Sequence, residues 1–306
     1  MLGVLHGFAV ILGIIGAGYL AARFGVVKGE QRRVLNDVAF YVATPALLFD
    51  VLQQSDPSIV ISPVMLVTAI TAVAAAAVYV LLSRFWFKGD MASVTLGAAS
   101  SGYVNANNLG LPVALYILGD IAYVAPLILI QVVVFAPVIL IILEALRGNK
   151  RGARAALLRA ISNPIIIASV LGLVVALTGF EVPEIALGPI SMLGAASVPM
   201  VLLSFGVSLR GQRALQAGTN RAAVLTASGI KLIFMPVATW LLCLAIGPGP
   251  HETFVATTIA ALPTAQNIYN FAATYRRAET QIRDTVFVTT FASLPIIALV
   301  AWLLSA

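Results

Sequence analysis

Two apolar stretches of this chain carry clusters of side-chain amides beside a proline. The first runs Tyr103-Val104-Asn105-Ala106-Asn107-Asn108-Leu109-Gly110-Leu111-Pro112, and the second Pro263-Thr264-Ala265-Gln266-Asn267-Ile268-Tyr269-Asn270. Carboxamides donate and accept hydrogen bonds without carrying charge, so such clusters can hold a polar ligand inside an apolar environment. Proline lacks a backbone donor and its ring clashes with the preceding turn. Each stretch should therefore unwind for a few residues around its proline. The candidate ligand contacts are Asn105, Asn107, Asn108, Gly110 and Pro112 from the first stretch, and Pro263, Gln266, Asn267 and Asn270 from the second. Tyr103 and Tyr269 are candidate ring contacts. The competing reading is a pair of proline kinks whose amides hydrogen-bond neighbouring helices.

The elements that position these residues are membrane helices. The 306-residue chain is 60% hydrophobic and only 10% charged, against about 25% charged in soluble domains. Windows of about 20 apolar residues, each able to cross a hydrocarbon core of roughly 30 Å, recur at 3–23, 34–52, 62–84, 92–119, 121–146, 162–180, 185–209, 221–246, 253–275 and 285–305. The first has no basic leader and is followed by Arg23 instead of a small-residue cleavage site, so it reads as a retained helix. The expected fold is all-α and polytopic, with ten transmembrane helices.

Basic residues set the orientation. Every lysine and arginine except Lys231 falls on alternate connections, those after spans one, three, five, seven and nine. The positive-inside rule places those connections in the cytoplasm and both termini outside, in a cell (inner) membrane. The net charge of +6 thus reports orientation, not a nucleic-acid partner. Five spans per half give two inverted repeats, residues 1–150 and 151–306. Thr44-Pro45-Ala46-Leu47 echoes Val198-Pro199-Met200-Val201, and Pro137 echoes Pro295. Broken segments at matching places in two halves point to a secondary-transporter binding site. If the two breaks cross at the midplane, half-helix N-termini bring positive partial charge to the site and favour a carboxylate or phosphate.

Lys231 lies about eleven residues into its span, roughly 16 Å along the helix. A charge at that depth usually marks a substrate or ion path. Three roles stand open: countercharge for an anion, a proton carrier, or a tether to a helix-terminal carbonyl at one of the breaks. Acids are nearly absent from the spans, since Asp37, Asp50 and Glu144 fall within a turn or two of span ends. That disfavours a cation substrate. One cysteine, Cys243, excludes disulfides, and nothing in the chain calls for a metal or a cofactor. Both histidines, His6 and His251, sit at the outer edge, so a hydrolytic enzyme lacks its residues.

Val42-Ala43-Thr44-Pro45-Ala46-Leu47-Leu48-Phe49, Asn108-Leu109-Gly110-Leu111-Pro112, Asn163-Pro164, Pro199 with Phe205-Gly206, and Ala261-Leu262-Pro263 together resemble the auxin efflux carrier family in its short bacterial form. The resemblance spans all ten helices. It implies a sodium/proton-antiporter-like fold in which spans four and nine cross. It also implies an elevator mechanism on a scaffold of spans one, two, six and seven, often a homodimer through those helices. The implied substrates are small organic anions, auxin-like or malate- and malonate-like; membrane lipid is the other partner expected of a chain this apolar. An anion channel or a ligand sensor on a transporter fold is the rival expectation.

Overall fold

In lipid a backbone finds hydrogen-bond partners only within itself, so long uncharged apolar runs become helices. The computed structural model describes residues 2–56, 62–87, 89–147, 158, 162–210 and 220–304, and the elements found there are helical. In chain order they are α1 (Leu2–Arg23), α2 (29–54), α3 (Pro63–Trp86), α4 (Met91–Gly102), α5 (Ala106–Leu118) and α6 (Ile121–Leu146). Then come α7 (Pro164–Thr178), α8 (Glu184–Ser208), α9 (Arg221–Ile246), α10 (Pro250–Ala260), α11 (Gln266–Tyr275) and α12 (Glu279–Leu304). The expected boundary between halves at 150/151 lies outside the described residues, as do Lys88, Lys150, Arg151, Arg154, Arg159 and Arg213.

Among the described residues seven helices are long and apolar enough to cross a membrane: α1, α2, α3, α6, α8, α9 and α12. The expected spans at 92–119, 162–180 and 253–275 are not single helices of that length. α7 has 15 residues, roughly 22 Å at 1.5 Å per residue. The other two are broken, as α4 with α5 and α10 with α11. At the start of α7, Asn163 Oδ1 accepts from the Ile165 N–H at 2.9 Å and Pro164 opens the helix. This is the restart that Asn163-Pro164 suggests in the sequence.

The helices pack in two groups. α1 lies along α8, α2 along α7, and α8 also meets α2. The Thr44 and Ser197 hydroxyls join α2 to α8 at 2.9 Å. Gly18 and Gly206 let α1 and α8 touch through their backbones: a Cβ at Gly18 would strike the Leu203 carbonyl, and one at Gly206 the Ile15 carbonyl. In the second group α3 packs on α4, α9 and α10, while α12 packs on α9, α10 and α11. The Thr239 hydroxyl donates to Thr71 Oγ1 at 2.9 Å, tying α9 to α3.

Several prolines are accommodated by one local device. The wide π-type turns Ala39–Ala43, Ala106–Gly110, Gln131–Phe135 and Ile230–Phe234 are each followed, two residues later, by Pro45, Pro112, Pro137 or Pro236. In each case the residue before the proline donates its N–H five residues back, to Ala39, Ala106, Gln131 or Ile230. A proline ring normally collides with the carbonyl four residues earlier. The extra residue in the wide turn moves that carbonyl aside, so the helix continues. Pro112 therefore does not cause the unwinding expected around it. The chain unwinds at 103–105, about two turns upstream.

Candidate functional site

Unwound backbone buried among membrane helices must find its partners in protein, and here the two interruptions satisfy each other. Val104 and Thr264 form an antiparallel bridge. The Asn105 N–H donates to the Pro263 carbonyl at 2.8 Å, and the Ala265 N–H to the Tyr103 carbonyl at 3.1 Å. The Thr264 hydroxyl donates to the Ser100 carbonyl at 2.6 Å. Its backbone N–H donates to Thr289 Oγ1 on α12 at 3.2 Å. The two amide-bearing stretches thus meet at one point inside the bundle.

A cavity of about 700 Å3 reaches this crossing. Asn107 and Asn108 line it from α5, Gln266, Asn267 and Asn270 from α11, Phe40 from α2, and Ser204, Phe205 and Ser208 from α8. Its rim carries Glu30, Arg33 and Asp37, so it opens on the face of the basic connections. Arg33 and Asp37 stand 3.9 Å apart and are largely solvated, a pairing worth little energetically. Beyond Asn107, Asn108 and Gln266 lies a recess of about 20 Å3, also lined by Tyr103, Asn105 and Gln131.

That recess holds unspent hydrogen-bonding capacity. Asn107 Oδ1 and Gln131 Nε2 are buried and have no hydrogen-bond partner among the described residues. Leaving such a group unpaired costs about 1–3 kcal/mol, so the recess offers an acceptor and a donor to whatever occupies it. The neighbouring amides are engaged. Asn105 Oδ1 caps α5 by accepting from the Asn108 N–H at 3.1 Å. Asn107 Nδ2 donates to Asn108 Oδ1 at 3.1 Å, and Asn267 lines the recess beside Tyr103. α11 starts after Ala265 with no side-chain cap, so its first N–H groups and positive end remain available beside the cavity.

The other candidates have different surroundings. Gly110 faces Leu262 and Val124, whose methyl carbons would lie 3.2 Å from an added Cβ, so it serves close packing between the broken segments. Pro112 is buried within α5, Pro263 contributes its carbonyl to the crossing, and Tyr269 packs against the cluster of Leu96, Ile139 and Ile282. Lys231 does not line the cavity. Its Nζ lies 2.9 Å from the Ala260 carbonyl, at the end of α10, and 3.0 Å from Met235 Sδ. One acid is deeper than the sequence suggests: Asp284, in the first turns of α12, is fully buried and accepts from Arg283 Nε at 3.0 Å and from its terminal nitrogen at 2.9 Å.

Gln131, Phe40, Ser204 and Ser208 join the site without having been singled out in the sequence. Gln131 had a readable signal, being the lone carboxamide in the apolar run 121–146, where a polar side chain is costly. The serines and Phe40 had none, since such residues are ordinary in membrane helices. Phe40, Asn107, Asn108, Gln131 and Lys231 all ride on the wide turns that precede prolines, a local geometry that recurs at functional sites.

Comparison with known proteins agrees with this architecture. A family model described as "Membrane transport protein" matches residues 4–301. An uncharacterized transporter of Methanocaldococcus jannaschii is 25% identical over 303 residues, covering 96% of this chain and 97% of that protein. A Rhizobium meliloti protein named "Putative malonate transporter" is 26% identical over 291 residues, covering 92% and 89%. The matches are to membrane transporters, not to enzymes.

Proposed function

This chain belongs to the membrane transport protein family, and from that premise we propose that it is a secondary transporter of small organic carboxylates, malonate- or malate-like in size. The observation that carries the reading is the unpartnered donor Gln131 Nε2 in a recess beside the uncapped start of α11. A carboxylate oxygen accepts from Gln131 Nε2 and from the first N–H groups of α11, and charge-assisted bonds of this kind are about twice as strong as neutral ones. Among the described residues no Lys or Arg lines the recess, so affinity comes from oriented dipoles. The cavity of about 700 Å3 lies within the usual range for small-molecule sites. The name of the Rhizobium meliloti relative supports a dicarboxylate.

The finer architecture of this reading is ten crossings in two inverted repeats, counting α7 and each broken pair as one crossing. The echoing contacts of α1 with α8 and α2 with α7 support it. In an elevator cycle, α1, α2, α7 and α8 form the static scaffold, with a homodimer through its lipid face, and the crossing travels with the other helices. The opening on the basic face is then an inward-facing state, with both termini outside.

The test is counterflow in proteoliposomes. Preloaded malonate should drive uptake of labelled malonate, with malate competing and indole-3-acetate compared alongside, at two pH values with and without sodium. Thermal stabilisation of the purified protein by the same acids gives a transport-free readout. Absence of both counterflow and stabilisation with every carboxylate would sink the proposal.

A further inference from the structure

The C-terminal end of a helix leaves carbonyls without intrahelical partners and gathers partial negative charge. α10 ends this way in the interior, at Ala260, which is itself fully buried. Lys231 supplies what that end lacks. It is 0% exposed, and the wide turn Ile230–Phe234 carries its side chain to the Ala260 carbonyl at 2.9 Å and Met235 Sδ at 3.0 Å. A buried charge is normally matched by an opposite one. Among the described residues the ion pairs belong instead to Arg33, Arg277 and Arg283. The ammonium is held instead by a helix-end oxygen and a polarisable thioether.

The position is also informative. Five residues beyond Ala260 the chain has made the crossing, through the Pro263 carbonyl, the Thr264 hydroxyl and the Ala265 N–H, and it re-enters helix at Gln266. Whatever fixes Ala260 therefore fixes the path into Gln266 and Asn267. The end of α4 needs no such group, because Thr264 and Ala265 already take the Ser100 and Tyr103 carbonyls.

We propose that Lys231 is a resident cation: its ammonium fills a monovalent-cation site at the end of α10 and, through the Ala260 carbonyl, positions the crossing. It is a positioning residue, and the site it fills becomes a binding site for a small primary ammonium ion once the side chain is removed. The atoms lost in Lys231→Ala, from Cγ to Nζ, are those of n-propylammonium. The proposal does not depend on which solute is carried.

The experiment uses the purified full-length protein and reads thermal midpoint and backbone hydrogen exchange over 259–267, with no carboxylate present. Lys231→Ala should lower the midpoint and speed exchange in that window roughly tenfold or more, as expected when a charge-assisted bond is lost. Millimolar n-propylammonium should restore both in Lys231→Ala and leave the parent unchanged. Tetramethylammonium, which cannot donate, and neutral n-propanol should do neither. Lys231→Met keeps the length without the charge and should resemble Lys231→Ala, whereas Lys231→Arg should retain most of the protection. Parent-like exchange and stability in Lys231→Met overturn the proposal, and this comparison decides the matter even if Lys231→Ala fails to fold. A folded Lys231→Ala protein that tetramethylammonium or n-propanol rescues as well as n-propylammonium, or that n-propylammonium does not rescue, also overturns it.

Discussion

The two broken segments solve the same problem with different chemistry. In the first, α4 starts on the Asp90 carboxylate, which accepts from the Ser93 N–H at 2.7 Å, and α5 starts on the Asn105 side chain. In the second, Glu252 reaches back to the Gly249 N–H at 3.1 Å to start α10, Lys231 closes its end, and α11 starts with no side-chain cap. The first segment therefore spends one amide on its own stability and offers Asn107 to the recess. The second imports a charge from α9 and leaves a helix end open. Sequence symmetry between two halves need not extend to electrostatics, and the site takes its polarity from the difference.

The largest effect expected from breaking this division of labour is on binding. Gln131→Ala, which removes the free donor, should weaken malonate binding by about 1.5–3 kcal/mol, the range for a hydrogen bond to a charged partner, or roughly 10- to 150-fold. Calorimetry or thermal-shift titration reads this directly. Asn270→Ala, at the exposed end of the cavity, should cost far less. Equal losses at Asn270 and Gln131 would move the ligand out of the recess.

Next in size is the crossing itself. Thr264→Val removes the hydroxyl from the buried Ser100 carbonyl while keeping shape, and should cost about 1–3 kcal/mol in thermal unfolding. Parent-like stability would mean that the end of α4 draws nothing from Thr264. A smaller and opposite change should follow from making the second segment resemble the first. Ala265 is extended, with φ −68° and ψ 138°, as an N-cap requires, so Ala265→Ser should add a cap worth about 1 kcal/mol. Carboxylate affinity should fall at the same time, because the serine oxygen takes N–H groups the ligand would use. A gain in both stability and affinity would show that the start of α11 is not part of the site.

The smallest effect lies at the surface. The Ser93 N–H, and then the Arg277 charge, hold the Asp90 carboxyl below its usual value. Its folded-state pKa is thus lower than its unfolded one. The associated stability is present at neutral pH and is lost as pH falls through the folded-state value. Asp90→Asn should flatten that acid limb slightly while leaving the neutral-pH midpoint nearly unchanged. A large loss at neutral pH would give the Arg277 pair, 3.3 Å from Asp90, more weight than an exposed pair normally has.

Much of this was readable from residue order. The amide clusters mark the stretches that meet, the uncharged runs mark most of the helices, and Asn163-Pro164 marks the start of α7. What was not readable depends on packing. Pro112 looks like a breaker, but a wide turn one residue wider than α absorbs it and the break moves to Val104, where Thr264 is available as a partner. Lys231 announces itself as a buried charge, while its acceptor depends on how α9 lies against α10. Gln131 is a single amide in an apolar run, a weaker sequence mark than the three asparagines at 105, 107 and 108.

The contact between Gly18 and Gly206 has a consequence for what the cavity admits. Ser204, Phe205 and Ser208 form its wall on α8, and the opposite face of the same helix rests on the backbone of α1 at those two glycines. The bore of the cavity is accordingly gauged from behind the wall, by two hydrogens where other residues carry carbon. A methyl group at either position acts as a shim that shifts the lining as a unit, leaving every polar contact chemically intact. On the proposed reading, the width of the cavity and its polarity are then set by separate parts of the molecule.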